Sequence, residues 1–148
     1  MRQISSLGWG GGVAGAIHRA AGPGLGKECR PLGPINPGDA VITSGHNLPN
    51  QYVIHCLGPV YGFDKPEDKI LAKCYRNALQ LAEEYKIESI AFPAIPTGAF
   101  GYPVEDAAYV AFGTIVEMIP NLKSFKKIRF VLYRARDFEI HEKTLLAL

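Results

Sequence analysis

Apolar residues recur along this chain at two spacings. Between Pro66 and Tyr85, the residues Ile70, Leu71, Cys74, Ala78, Leu81, Ala82 and Tyr85 fall on one face at helical spacing. Pro66 suits the first turn of that helix, and Glu67 and Asp68 suit its positive end. A second stripe of Val104, Ala107, Ala108, Ala111, Ile115 and Met118 predicts a helix opened by Pro103 and closed by Pro120-Asn121. A shorter apolar helix is predicted from Val13 to Ala21, with Gly22-Pro23 as its stop. Short apolar or alternating runs predict strands over residues 40–43, 52–57, 89–93 and 128–133. Turn residues between Gly45 and Asn50 make the first two an antiparallel pair. A terminal helix follows the last strand, with Asp137 as its cap. Residues 22–38 are rich in glycine and proline and read as largely irregular, with a short helical turn at Lys27-Glu28-Cys29. Helices alternating with short apolar strands give a layered α/β domain, partly parallel and covered on both faces. Ligands in such folds sit beyond the carboxyl ends of the strands, where the loop after Phe92 lies.

The 148 residues suffice for one domain with a real core, and a hydrophobic content of 47% against 20% charged residues reads as globular. Lys and Arg total 16 against 14 acidic residues, a net charge of +2, which gives no sign of a nucleic-acid surface. A small anionic ligand needs no net charge, because backbone dipoles hold it. Cys29, Cys56 and Cys74 have neither CxxC nor zinc-like spacing and read as buried free thiols in a reducing compartment. No apolar run reaches membrane-spanning length, and the N-terminus lacks the apolar core of a signal peptide, so no membrane partner and a cytoplasmic location are expected.

The chemistry concentrates in two glycine-containing loops. Gly8-Trp9-Gly10-Gly11-Gly12 runs directly into the helix that starts near Val13. Glycines let a ligand approach the backbone closely, and the free N–H groups and dipole at a helix start favour an anion. Pro96-Thr97-Gly98-Ala99-Phe100-Gly101 is a second loop of this kind, after a predicted strand. Two such loops point to a ligand with more than one phosphate. Either loop alone is weak, since short motifs match by chance.

These motifs, in order, resemble the macro domain family, which binds ADP-ribose. The resemblance rests on Leu7-Gly8-Trp9-Gly10-Gly11-Gly12-Val13-Ala14, on Asn47-Leu48-Pro49, on the run from Tyr52 to Tyr61, on Ile90 to Gly98, and on Gly101-Tyr102-Pro103. It covers nearly the whole chain and implies one macro domain over residues 1–148, with a three-layer α/β/α mixed sheet that lacks the first family strands. It implies that Gly10, Gly11, Gly12, Val13 and Ile17 face the distal ribose and diphosphate. Pro96, Thr97, Gly98, Ala99 and Phe100 would form the second phosphate-facing wall, and Tyr133 would lie beside the adenine. Backbone N–H groups suit phosphates and aromatic faces suit a sugar or purine, in agreement with these roles. Two positions depart from the family pattern. Ile4 stands where family members carry an Asn that bonds the ribose, and Ala14 stands where subfamilies that cleave ADP-ribose esters often carry Asp. Ala14 offers no proton-transfer group, so acid–base catalysis from that position is excluded.

The catalytic residues are therefore left unassigned, and low or absent hydrolase activity is expected. Three readings stay open: an ADP-ribosyl or O-acetyl-ADP-ribose hydrolase, a reader of free or protein-linked ADP-ribose, and a structural or homo-oligomeric unit. His18 reads as a surface or packing residue, His55 as a hydrogen-bonded core histidine, and His46 and His141 as loop and surface positions. No pair of histidines has metal-ligand spacing, so neither a metal nor a cofactor is expected. Cys29, Cys56 and Cys74 read as small apolar fillers.

Overall fold

The computed structural model describes residues 12–94 and 102–148. Five helices and four strands are found among the described residues, and they alternate from the second strand onward. Helix α1 (Gly12–Ala21) and α2 (Pro23–Cys29) lead through a 3-10 turn at Arg30–Leu32 to strands β1 (Ala40–Ser44) and β2 (Tyr52–Cys56). Helix α3 (Glu67–Glu84), strand β3 (Ser89–Phe92), helix α4 (Val104–Met118), strand β4 (Lys127–Phe130) and helix α5 (Ala135–Leu146) follow. Strands β1 and β2 pair antiparallel with Ile42 opposite Ile54, as their turn residues predict. Strands β3 and β4 pair parallel, with Ser89 opposite Lys127 and Phe92 opposite Phe130. The mixed strand directions expected from the sequence are thus present.

Two clusters form the core. One joins Leu71, Tyr75, Ala78 and Leu79 of α3 to Phe92 of β3 and to Ala107, Ala111 and Ile115 of α4. The small alanines on α4 let the two helices approach, and the aromatic rings fill the space above the strands. The other joins Ala21, Leu25, Cys29, Ile35 and Leu57, and so anchors α1 and α2 beside β2.

Several expectations are corrected. The helical turn expected at Lys27-Glu28-Cys29 is present but begins earlier, at Pro23, where irregular chain was expected, because Leu25 and Cys29 are completely buried and tertiary packing outweighs the glycines. The buried face of α3 is turned toward Tyr75 and Leu79, and Tyr85 is 47% exposed, stacked edge-on against Tyr52 at 5.4 Å. Strand β3 is buried only at Phe92, with Ser89 and Ala91 exposed. Strand β4 ends at Phe130, so Tyr133 lies on a loop. Asp137 does not cap α5: Arg134 takes the N-cap position without a side-chain bond, and Asp137 lies in the first turn. His141 is 4% exposed rather than a surface residue. Its Nδ1 lies 2.7 Å from the Asp137 carbonyl oxygen, and its ring packs against Phe112 and Phe130.

The β1–β2 turn braces α1. The Asn47 amide donates to the Ala21 carbonyl at 3.2 Å, and Gly22, at φ 85°, turns the chain from α1 into α2. Gly45 closes the turn by donating to the Gln51 carbonyl at 2.9 Å. A Cβ on Gly45 would collide with the Asn50 carbonyl oxygen, which is backbone and cannot rotate away. Gly45→Ala is therefore expected to cost about 1–3 kcal/mol, the usual range for overpacking. A thermal melt should fall by several degrees, and an unchanged melt would show that the turn relaxes freely.

Candidate functional site

Parallel pairing of β3 and β4 sends both strands out of the same edge. The Val131 amide still donates to the Phe92 carbonyl at 2.8 Å, so residues 93–94 and 131–134 leave side by side. Helices α4 and α5 start at this same end. Between them lies a cleft of about 380 Å³ lined by Tyr102, Pro103, Val104, Glu105, Arg134, Arg136 and Asp137. Arg136 Nη2 is 3.9 Å from Glu105 Oε1, an exposed and weak pair. The cleft therefore carries two guanidinium groups at the carboxyl ends of two parallel strands, the position where layered α/β folds bind ligands. Tyr102 is buried against the Tyr61 ring at 5.1 Å. Burial, with the carboxylates of Asp68 and Asp106 nearby, pushes its hydroxyl up to about 12. It stays protonated and serves as a fixed wall.

Of the residues the sequence singles out, Gly12 is the first residue of α1, and Val13 is 48% exposed in its first turn. Ala14 and Ile17 are half-buried on the same helix. Tyr133 is 98% exposed beside Arg134, a free aromatic face at the strand ends. Gly10, Gly11, Pro96, Thr97, Gly98, Ala99 and Phe100 lie outside the described residues, as does Ile4. Arg134 and Arg136 were missed by the sequence reading. Their signal was available in the run Tyr133-Arg134-Ala135-Arg136, basic residues directly after a predicted strand.

A larger, apolar groove of about 510 Å³ lies between α4, β4 and α5, lined by residues including Phe112, Ile119, Phe125, Phe138 and Leu145. Among the described residues its lining includes no glycine and is mostly apolar, unlike that of the charged strand-end cleft. Among the described residues no helix is long and apolar enough to cross a membrane.

His55 is half-buried on β2, its Nε2 2.9 Å from Thr43 Oγ1 and 3.5 Å from Cys29 Sγ. Burial, helped by His18, lowers it to about 4, so it is neutral. This is the hydrogen-bonded histidine expected from the sequence. His46 pairs with Glu28 at 2.7 Å. Burial raises the thiols of Cys56 and Cys74, the latter to about 12. Cys74 Sγ donates to the Leu57 carbonyl at 3.2 Å, as an inert packed thiol does.

Comparison with known proteins decides the family. The macro domain family model matches residues 5–111. The chain belongs to the macro domain family. It is 49% identical to the macro domain-containing protein CT2219 of Chlorobaculum tepidum, over 97% of this chain and 84% of that protein. It is 44% identical to a Klebsiella pneumoniae protein named O-acetyl-ADP-ribose deacetylase, over 95% of this chain and 83% of that one. Among solved structures, an Oceanobacillus iheyensis macrodomain with ADP superposes at a TM-score of 0.90 and 39% identity, covering 99% of this chain and 80% of that one. The macro domain fold, an α/β three-layer architecture, is therefore the fold of this chain.

Proposed function

We propose that this macro domain binds ADP-ribose, free or attached to protein, across the start of α1 and the carboxyl ends of β3 and β4. The observation that carries this reading is the chemistry of the helix starts. Helices α3, α4 and α5 each hold their own carboxylates in the first turn: Glu67 and Asp68, Glu105 and Asp106, and Asp137. Helices α1 and α2 have none, and of these two it is α1 that follows the glycine run. Its positive end is left for an anion from outside the chain. The diphosphate lies against Gly10, Gly11, Gly12 and Val13 on one side and against Pro96, Thr97, Gly98, Ala99 and Phe100 on the other, with Ile17 behind. The exposed ring of Tyr133 offers a stacking face for the adenine. Arg134 and Arg136 add positive charge at the same edge. The binding partner of a homologous macrodomain, ADP, supports this ligand class.

A second reading, hydrolysis of O-acetyl-ADP-ribose, is favoured by the name of the Klebsiella relative. In this chain Ala14 occupies the first turn of α1 and moves no proton. Any turnover would rest on holding the ester and a water in place between the two loops. Calorimetric titration with ADP-ribose tests the binding reading: a saturable one-to-one isotherm is expected, and no heat at millimolar ligand would overturn it. Incubation with O-acetyl-ADP-ribose tests the second: slow or absent turnover is expected, and rapid turnover would contradict the role given to Ala14.

Ile4 supplies a further check. An apolar side chain there forgoes the ribose hydrogen bond that the family's Asn makes. Restoring one such bond is worth about 0.5–1.5 kcal/mol. Ile4→Asn is expected to tighten ADP-ribose binding several-fold, and an unchanged or weakened affinity would show that position 4 does not reach the ribose.

A further inference from the structure

His18 of α1, Cys29 at the end of α2 and His55 of β2 converge on one point. One ligand atom from each lies within 4.8 Å of the others. Cys29 is completely buried, and both histidines are half-buried. We propose that His18, Cys29 and His55 form a binding site for a single zinc-class divalent cation. One thiolate and two imidazoles make a borderline-soft donor set, which suits zinc and its spectroscopic substitute cobalt.

The geometry agrees with this donor set. Zinc bonds of about 2.3 Å to sulfur and about 2.0–2.1 Å to nitrogen give a tetrahedral sulfur–nitrogen edge of roughly 3.5 Å. Cys29 Sγ is 3.9 Å from His55 Nδ1, a few tenths of an ångström longer than that edge, and 3.5 Å from Nε2. Thr43, 2% exposed, holds its Oγ1 2.9 Å from Nε2 and 3.5 Å from the Val53 carbonyl oxygen. With Nε2–H donating to Thr43 and Thr43 donating to Val53, Nδ1 keeps its lone pair for the ion. A second partner that fixes the tautomer in this way is the usual support of a ligating histidine. Closing Nδ1 onto the ion needs a movement of a few tenths of an ångström. The half-exposed histidines leave the fourth position to water.

The charge balance also fits. Glu28 lies beside the cluster, held by the Ser44 amide at 3.2 Å and by His46 at 2.7 Å. Its carboxylate offsets the charge left by a dication on one thiolate. Burial lowers both imidazoles and so favours the neutral form that ligates. Burial and Glu28 push the Cys29 thiol up to about 11, so the ion must displace its proton. The step is exchange: the S–H bond breaks, a sulfur–metal bond forms, and one proton leaves to solvent. Three residues on three elements lie far apart in sequence, so no spacing rule could reveal them. The bound ion would tie α1, the helix at the proposed nucleotide site, to α2 and β2.

Cobalt(II) titration of chelator-stripped protein tests the site. The expected result is one equivalent bound, with a thiolate-to-cobalt charge-transfer band and tetrahedral visible bands, displaced by zinc and accompanied by release of one proton. Zinc should raise the melting temperature. Cys29→Ser should abolish the charge-transfer band. His18→Gln, at a half-exposed position that leaves the buried thiol in place, should weaken cobalt binding at least roughly tenfold. A missing thiolate band in the folded wild-type protein would overturn the proposal and leave a hydrogen-bonded cluster. Full affinity in His18→Gln would also overturn it and would mark an adventitious site elsewhere on the chain.

Discussion

Replacing Tyr75 with alanine is expected to remove about 3–5 kcal/mol of stability, the range for deleting a large buried aromatic side chain. Tyr75 is 2% exposed and lies on the inner face of α3. Its ring meets Phe92 of β3 edge-on at 5.1 Å and Phe130 of β4 at 6.3 Å. Phe92 and Phe130 in turn face each other at 5.6 Å, and Phe130 packs on Phe112 of α4 at 4.8 Å. The four rings bind two helices to the parallel strand pair, so truncation leaves a cavity that rigid strands cannot close. Since domains are stable by only about 5–15 kcal/mol, the variant should be marginal. Urea unfolding should show a much lower midpoint with an unchanged slope. A loss under about 1 kcal/mol would mean that α3 does not depend on the aromatic cluster.

Gly98→Val is expected to abolish ADP-ribose binding while the fold persists. Gly98 lies outside the described residues. It follows strand β3 within Pro96-Thr97-Gly98, where the family resemblance implies that backbone approaches phosphate. A branched side chain in that approach path excludes the ligand. The flanks that hold the fold, Phe92 and Tyr102, are each 4% exposed and remain untouched. Calorimetry should show no ADP-ribose heat, and the thermal melt should match the wild-type chain. Normal binding would mean that phosphate does not contact this loop.

Local signals made much of the fold legible. The α3 boundaries follow from Pro66, Glu67 and Asp68 and from a long apolar repeat, and the β1–β2 hairpin follows from its turn residues. What failed depends on tertiary contacts. Nothing local shows that Leu25 and Cys29 are buried enough to hold a helix through a Pro-Gly-rich segment. His141 is polar by identity and buried only because α5 presents it to Phe112 and Phe130. Tyr85 has the right spacing for the inner face of α3, yet the helix has passed the core before reaching it. The proposed site is marked in the sequence by its glycine-rich run, where residue type and position carry the chemistry together. Arg134 and Arg136 stand in the sequence directly after a predicted strand, but their place in the cleft depends on the parallel pairing of β3 and β4, which sets the loop after β4 beside the one after β3. The His18–Cys29–His55 cluster has no linear pattern at all.

Amide chemical-shift mapping during an ADP-ribose titration tests the central claim most directly. Saturable shifts should concentrate at Gly11 to Ile17, at Thr97 to Gly101 and at Tyr133 and Arg134, while Phe125 and Leu145 in the apolar groove stay unmoved. Shifts confined to that groove, or no saturable shifts anywhere, would contradict the assignment of the nucleotide site to the start of α1 and the ends of β3 and β4.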